Sequence, residues 1–150
     1  MTTAQVLSLV RRLVDEVDQA ASNLTDEELL QFVADTRDEL ELRLVTGFSS
    51  LVVGAELDPP SGGNAYGIVP DPTLEEGYLL ALGTALRLLE QAFQGRLNRG
   101  ELGVAWRSGP EEESSITAAQ TYRNMLAERR LRYEAQILVR RAPTAATRIQ

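Results

Sequence analysis

The sequence predicts an all-α protein: a four-helix bundle with a long inter-helix loop, one short extended segment and a flexible C-terminal tail. Three observations lead to this prediction. Apolar residues recur every three or four positions in four stretches, residue types that begin helices precede several of them, and an aperiodic stretch rich in proline and glycine separates the second from the third. A chain of 150 residues is long enough to bury a core, so we expect a single helical domain over residues 1–150.

The first two predicted helices span residues 3–21 and 25–46. One apolar face runs along the first, and it consists of Val6, Val10, Leu13, Val14 and Val17. The second helix begins at Thr25, because Thr25 and Glu28 have the spacing of a capping box. Glycine commonly ends helices, so we expect this helix to end at Gly47.

The third predicted helix spans residues 72–94. Asp71 is its expected N-cap, Pro72 suits the first helical position, and Gly95 is its expected end. Its regular apolar positions are Leu79, Leu82, Leu86, Leu89 and Phe93. This is the most apolar of the four helices, which predicts a place at the centre of the bundle.

The fourth predicted helix spans residues 116–141 and is strongly basic. Its apolar stripe consists of Ala119, Tyr122, Leu126, Tyr133 and Ile137. Its basic residues are Arg123, Arg129, Arg130, Arg132, Arg140 and Arg141. Residues 143–150 have no periodicity, and we expect them to form a flexible tail unless a partner binds them.

Residues 49–73 lack helical periodicity and are predicted to form a long loop. Residues 51–53 favour an extended conformation, and residues 59–64 are typical of turns. A connection this long within one domain is either mobile or occupied by a partner. Farther along the chain, residues 102–107 alternate apolar with small or charged side chains, which predicts a short strand.

The composition predicts that the chain is not an enzyme and carries no cofactor or metal. The sequence has no histidine and no cysteine, and all 15 basic residues are arginine. Nucleophile–histidine pairs, ordinary zinc sites, lysine Schiff bases and Walker A loops are therefore excluded. Carboxylate chemistry, such as glycoside hydrolysis, stays open. Glu111, Glu112 and Glu113 are better explained by the following helix N-terminus than by a metal site, since adjacent residues seldom converge on one ion.

The absence of certain segments bears on location. No apolar run approaches 18 residues, and no charged-then-apolar pattern opens the chain. We therefore expect neither a membrane span nor a secretion signal.

Charge is divided unevenly along the chain, whose net charge is −7. Residues 1–100 hold 16 acidic residues and 7 arginines, whereas residues 101–150 hold 6 and 8. Such a split suits head-to-tail stacking of like subunits, and solvated helix faces explain it equally well. The arginine-rich last helix also leaves open a helical DNA-associated or regulatory protein that contacts phosphates.

Four segments together resemble the bacteriophage head-to-tail connector, or neck adaptor, family. They are Leu-Thr-Asp-Glu-Glu-Leu at 24–29, the Leu/Ala-rich helix at 74–94, Gly-Val-Ala-Trp-Arg-Ser-Gly-Pro-Glu at 103–111, and Ser-Ile-Thr at 115–117 leading into the last helix. The similarity covers residues 24–141 and consists of a succession of segment types. The additional helix at 3–21 and the loop at 49–73 depart from the family pattern.

The resemblance implies a virion protein at the head–tail junction, assembled in the host cytoplasm. It implies a ring, usually of twelve subunits, that binds the portal protein on one side and the next neck or tail protein on the other, with DNA passing through. The residues expected to contact the portal are Arg140, Arg141, Arg148, Ile149 and Gln150. The residues expected to contact neighbouring subunits or the tail are Trp106, Arg107 and Tyr66.

Overall fold

The computed structural model describes residues 1–101 and 110–141, and the side chains of these except 110–117. The described helices are α1 (Thr3–Asp15), α2 (Asp26–Leu42), α3 (Leu74–Asn98) and α4 (Pro110–Arg140). Two strands, β1 (Val52–Ser61) and β2 (Asn64–Val69), pair antiparallel between α2 and α3. Short 3-10 turns lie at Gln19–Ser22 and Phe48–Ser50.

The prediction of an all-α fold is wrong, because the expected loop at 49–73 contains this β-hairpin. Gly62 and Gly63 form its two-residue turn with φ of 55° and 83°, and positive φ at both positions matches the twist of the flanking strands. Two parts of the prediction for this stretch are confirmed: the extended segment, in β1, and the turn within 59–64, at Gly62 and Gly63. The register shifts around Gly54 and again before Ser61, so the alternation that normally reveals a strand is interrupted.

The hairpin packs on α1 and α2 of its own chain. Ile68 is fully buried, and its backbone N–H donates to the Thr3 hydroxyl at 2.9 Å. Near the turn, the Asn64 side-chain amide donates to Asp26 at the first turn of α2. At the other end, the Arg37 guanidinium donates to the Leu51 carbonyl at 2.9 Å. The segment at 49–73, predicted to be either mobile or bound to a partner, therefore packs against helices of the same chain.

The structure corrects two predicted helix boundaries, the start of α3 and the end of α2. α3 begins after Thr73, which forms a capping box with Glu76, and not at Pro72. α2 ends at Leu42, four residues before Thr46, because Leu44 adopts φ of 60° and the Val45 N–H donates back to the Leu40 carbonyl. That is a Schellman motif with leucine where glycine is usual.

The other boundaries also move. α1 ends at Asp15 and not at residue 21, α3 continues past Gly95 to Asn98, and α4 begins at Pro110, earlier than predicted. The strand predicted at 102–107 and the tail predicted at 143–150 lie outside the described residues.

α3 contacts each of the other three helices, which confirms its predicted central place. At its midpoint the Thr84 hydroxyl lies 3.0 Å from the Thr36 hydroxyl of α2. One residue earlier, Gly83 permits a close approach on two sides. A Cβ there would lie 2.5 Å from Thr36 Cγ2 and 2.8 Å from the Tyr133 ring of α4. The lack of a side chain at 83 therefore sets how closely α2 and α4 pack on α3.

We expect Gly83→Ala to lower the free energy of unfolding by about 1–3 kcal/mol, because the added methyl overpacks this three-helix contact. The matched control is Gly95→Ala in the same helix, where the nearest atom is the mobile end of Arg99 at 3.2 Å. Helix propensity predicts that the control raises stability by up to about 1 kcal/mol. Urea unfolding followed by circular dichroism measures both, and a Gly83→Ala variant as stable as the control would contradict the packing argument.

Candidate functional site

The candidate functional site is α4. Two tyrosines of this helix form hydrogen bonds with other parts of the chain. The Tyr122 hydroxyl donates to Asp18 at 2.9 Å, and the Tyr133 hydroxyl donates to Glu39 at 3.0 Å. The tyrosines are 11 residues apart, which is about three turns of an α-helix, so both lie on one face. That face packs on α3.

Each tyrosine acceptor also binds an arginine of α3. Asp18 is only 6% exposed and pairs with Arg96 at 2.7 Å, while Glu39 of α2 pairs with Arg87 at 2.7 Å. Burial, reinforced by the adjacent carboxylates, raises the pKa of both tyrosine hydroxyls above the ordinary value. They therefore remain protonated donors across the physiological range.

Ion pairs extend this attachment along α4. Arg129, whose side chain is largely buried, binds Glu16 at the end of α1 at 2.5 Å. Arg130 binds Glu90 of α3, and Arg140 binds Glu75 in the first turn of the same helix.

Two further contacts involve charged groups of α4. Arg43, just after α2, forms a two-point contact with Glu134. Hydrogen bonding from Arg43 lowers the pKa of Glu134 below its ordinary value. The Arg123 guanidinium lies 5.8 Å from the centroid of the Phe93 ring, within the range of a cation–π interaction.

The side of α4 opposite the tyrosines carries a line of exposed apolar residues. Leu131 and Leu138 are 72% and 71% exposed, and they are two turns apart on one line of the helix. Val139 beside them is 79% exposed, and Ala127 and Ala135 continue the line as exposed small residues. We call Ala127, Leu131, Ala135, Leu138 and Val139 the outer stripe.

Of the residues predicted to contact partners, Arg140, Arg141 and Tyr66 lie within the described part of the chain. Arg140 points inward to Glu75 and Glu76, whereas Arg141 is exposed and its backbone bridges to Val45. Tyr66 is 59% exposed on β2, opposite Glu56 in the register. Outside the described residues lie Trp106, Arg107, Arg148, Ile149 and Gln150.

Sequence reasoning assigned Tyr122 and Tyr133 to the inner stripe of α4, and their burial confirms this. It missed their hydrogen bonds, whose acceptors lie 104 and 94 residues away along the chain. It also missed the outer stripe. The signal was present as the seven-residue spacing of Leu131 and Leu138, on the helix side away from Tyr133.

Comparisons with known proteins add no assignment. The sequence matches no protein-family model and no curated protein, and the structure matches no solved structure. Within residues 1–101 and 110–141, no acidic cluster has the arrangement needed to hold a metal ion. No helix in that described part combines the length and apolar character needed to cross a bilayer.

We expect Tyr122→Phe to lower the free energy of unfolding by about 1.5–3 kcal/mol, because the buried Asp18 carboxylate loses a hydrogen bond. Tyr66→Phe is the control, since its exposed hydroxyl predicts a change within about 0.5 kcal/mol. Chemical unfolding of the two variants tests this difference. Equal stabilities would show that the Tyr122 hydroxyl does not hold α4 in place.

The contribution of Glu134 to the free energy of unfolding depends on pH, because its pKa is lowered in the folded state. Its lowered pKa stabilises the folded state above the ordinary glutamate value of 4.5, and this stabilisation is lost as pH falls below that value toward the lowered pKa. Glu134→Gln should therefore be less stable than the parent chain at pH 7, with the difference shrinking toward pH 3. Unfolding free energies at the two pH values provide the measurement, and a difference independent of pH would refute the linkage.

Proposed function

We propose that this chain is a structural adaptor of the phage neck, a subunit of a ring that joins the portal to the next neck or tail protein and lets DNA pass. The observation that carries the proposal is the outer stripe of α4. A helix held to its own body by buried tyrosines still exposes aliphatic side chains along its opposite side. Contiguous exposed apolar surface of this kind marks protein–protein contact.

The charge distribution supports a role as a DNA conduit more than a role in gripping DNA. Three arginines of α4 that could reach phosphates, Arg129, Arg130 and Arg140, are engaged by carboxylates on α1 and α3. Binding DNA through them would require breaking those ion pairs. The remaining surplus of carboxylates repels the DNA backbone and favours sliding past it.

The carboxyl end of α4 is the proposed portal-facing end. Arg140 ties this end to the first turn of α3, and Arg141 follows it on the surface. Residues 142–150 follow this end of α4 in the chain, and we propose that they contact the portal.

The direct test is to place an epitope label on this chain in particles of the phage that encodes it and to image them by negative-stain electron microscopy. We expect the label at one vertex per particle, between head and tail. An untagged particle treated with the same antibody is the control. A label spread over the capsid, or absent from particles, would reject the neck assignment.

Truncation after Arg141 tests the portal-facing end. The helical circular dichroism signal and the unfolding midpoint should match those of the full chain, because residues 142–150 follow the last packed helix. Binding to the cognate portal should be lost. Portal binding that persists would reject the assignment of Arg148, Ile149 and Gln150 to that contact.

A salt titration of duplex DNA binding separates the adaptor from a DNA-binding protein. We expect weak binding at physiological salt. Tight binding with a steep dependence on salt concentration would favour the DNA-associated protein instead.

A further inference from the structure

Four exposed leucines lie where the surfaces of α2 and α4 meet. They are Leu42, Leu44, Leu131 and Leu138, each between 61% and 83% exposed, and we call them the leucine patch. Together they present on the order of 500 Å² to solvent, as much as the largest apolar patch of a typical monomer. An apolar surface of this size, when it is continuous, marks a place where another molecule binds.

The contacts between α2 and α4 show that the two helices run in the same direction. Glu39 accepts a hydrogen bond from Tyr133. Seven residues later on both segments, the Thr46 N–H donates to the Arg140 carbonyl at 3.1 Å. At 100° per residue, Leu42 lies about 60° around α2 from Glu39, on the side away from the core. Its side chain is therefore exposed beside α4.

The leucines of α4 lie beside the same seam between the two helices. Glu134 marks the seam, because it forms the two-point contact with Arg43. Leu131 and Leu138 lie about 60° and 40° around α4 from Glu134, both on the side away from the buried Tyr133. The leucines of the two helices therefore form one continuous face.

Leu44 indicates that this face has a role outside its own chain. Its φ of 60° is a left-handed conformation that is unfavourable for leucine and free of strain for glycine. Its side chain is 61% exposed, so contacts within the chain compensate little of that free energy. Residues held in such conformations concentrate at functional sites. A binding partner that covers the side chain accounts for leucine at this position.

Two exposed charges of opposite sign lie at opposite ends of the leucine patch. Asp35 is seven residues before Leu42, two turns away on the same line of α2. Arg141 follows the last turn of α4, where its backbone bridges to Val45 beside Leu44. Both side chains are exposed, and neither forms an ion pair with another described residue. Because the helices are parallel, the patch has an acidic group at one end and a basic group at the other.

We propose that two copies of this chain pair through the leucine patch, related by a twofold axis that passes through its centre. The rotation reverses one patch relative to the other, so the leucines of the two copies pack together. It also brings Asp35 of each copy to Arg141 of the other, because the two charges lie at opposite ends. The pair buries on the order of 1,000 Å², the lower limit for a specific interface, and we therefore expect a micromolar dissociation constant.

This pairing goes beyond the proposed neck function and does not depend on it. Leu131 and Leu138 belong to both the leucine patch and the outer stripe. A paired subunit therefore has to dissociate before its outer stripe can contact a neighbouring subunit of the ring or another neck protein. Pairing in solution thus opposes ring assembly in the absence of the portal.

Charge reversal tests the twofold arrangement. Asp35→Arg gives a copy that is basic at both ends of the patch, and Arg141→Glu gives one that is acidic at both ends. Each variant alone should self-associate at least about tenfold more weakly than the parent chain, because like charges then meet twice in each pair. An equimolar mixture of the two should regain the parent's affinity, because every charged contact across the axis is complementary again. Sedimentation velocity over a range of protein concentrations up to about 1 mM measures these affinities.

Asp71→Arg is the matched control for charge reversal. Asp71 is an exposed carboxylate that lies among residues of the hairpin, outside the leucine patch. Its reversal changes the net charge by the same amount as Asp35→Arg and should leave self-association unchanged. Equal weakening by the two reversals would show that net charge, and not this contact, governs the association.

Leu131→Gln combined with Leu138→Gln tests the apolar contact. Both positions are exposed and glutamine favours helices, so the circular dichroism spectrum and the unfolding midpoint should match those of the parent chain. Self-association should weaken about tenfold or more, because apolar contact area is lost. Leu74→Gln is the control, since Leu74 is 72% exposed but lies beside α1 at the start of α3.

Leu44→Gly separates a role in binding from a role in folding. Glycine adopts the left-handed conformation without strain, so the urea midpoint should rise at a concentration where the parent chain is monomeric. Self-association should weaken severalfold, because the exposed side chain is removed. A lower midpoint with unchanged association would show that Leu44 acts only within its own chain.

Three results would overturn the pairing: no self-association of the parent chain at any concentration, no recovery in the mixture of charge-reversed variants, or unchanged association after the two glutamine substitutions. Association that appears only after removal of residues 142–150 would also overturn it, and would identify those residues as the occupant of the patch. The imaging test of the neck is independent of these results. A chain found at the head–tail junction that does not pair keeps the neck function and loses the pairing. A chain that pairs but lies elsewhere in infected cells keeps the pairing and loses the neck function.

Discussion

The attachment of α4 through buried hydroxyl–carboxylate hydrogen bonds is the interaction on which the rest of this structure depends. Tyr122 and Tyr133 reach carboxylates from the α1 and α2 regions, and each carboxylate is already held by an arginine of α3. Removal of the Tyr122 hydroxyl would leave the buried Asp18 carboxylate less satisfied, and such groups are costly in a medium of low dielectric. The result is a rigid platform whose far side is free for contact.

α3 makes that arrangement possible because it has a glycine, Gly83, where side chains of α2 and α4 approach it. Gly83 leaves room for the Tyr133 ring on one side and for Thr36 on the other. The tyrosine hydroxyl can then reach Glu39 across the seam between α2 and α4. Close packing and polar attachment are therefore coupled at one level of the bundle, and the orientation of the outer stripe follows from both.

Periodicity predicted the four helices because each buries one face, and helix burial leaves a repeat of three and four residues in the sequence. It failed for the hairpin for a physical reason. The bulge at Gly54 and the irregular pairing before Ser61 remove the two-residue alternation that indicates a strand. The predicted end of α2 is wrong because Leu44 adopts a left-handed backbone conformation. Leucine seldom adopts this conformation, so the sequence does not indicate it.

The sequence by itself determined the helices, the central place of α3, and the absence of the residue types that most catalytic sites need. These properties depend on local periodicity and on composition, which can be read without knowing what packs where. Only the tertiary structure decided that residues 52–69 fold onto α1 and α2, and that Arg129, Arg130 and Arg140 of α4 pair with carboxylates outside that helix. Those outcomes depend on contacts between residues far apart in sequence, because a side chain's partners are set by how the helices cross.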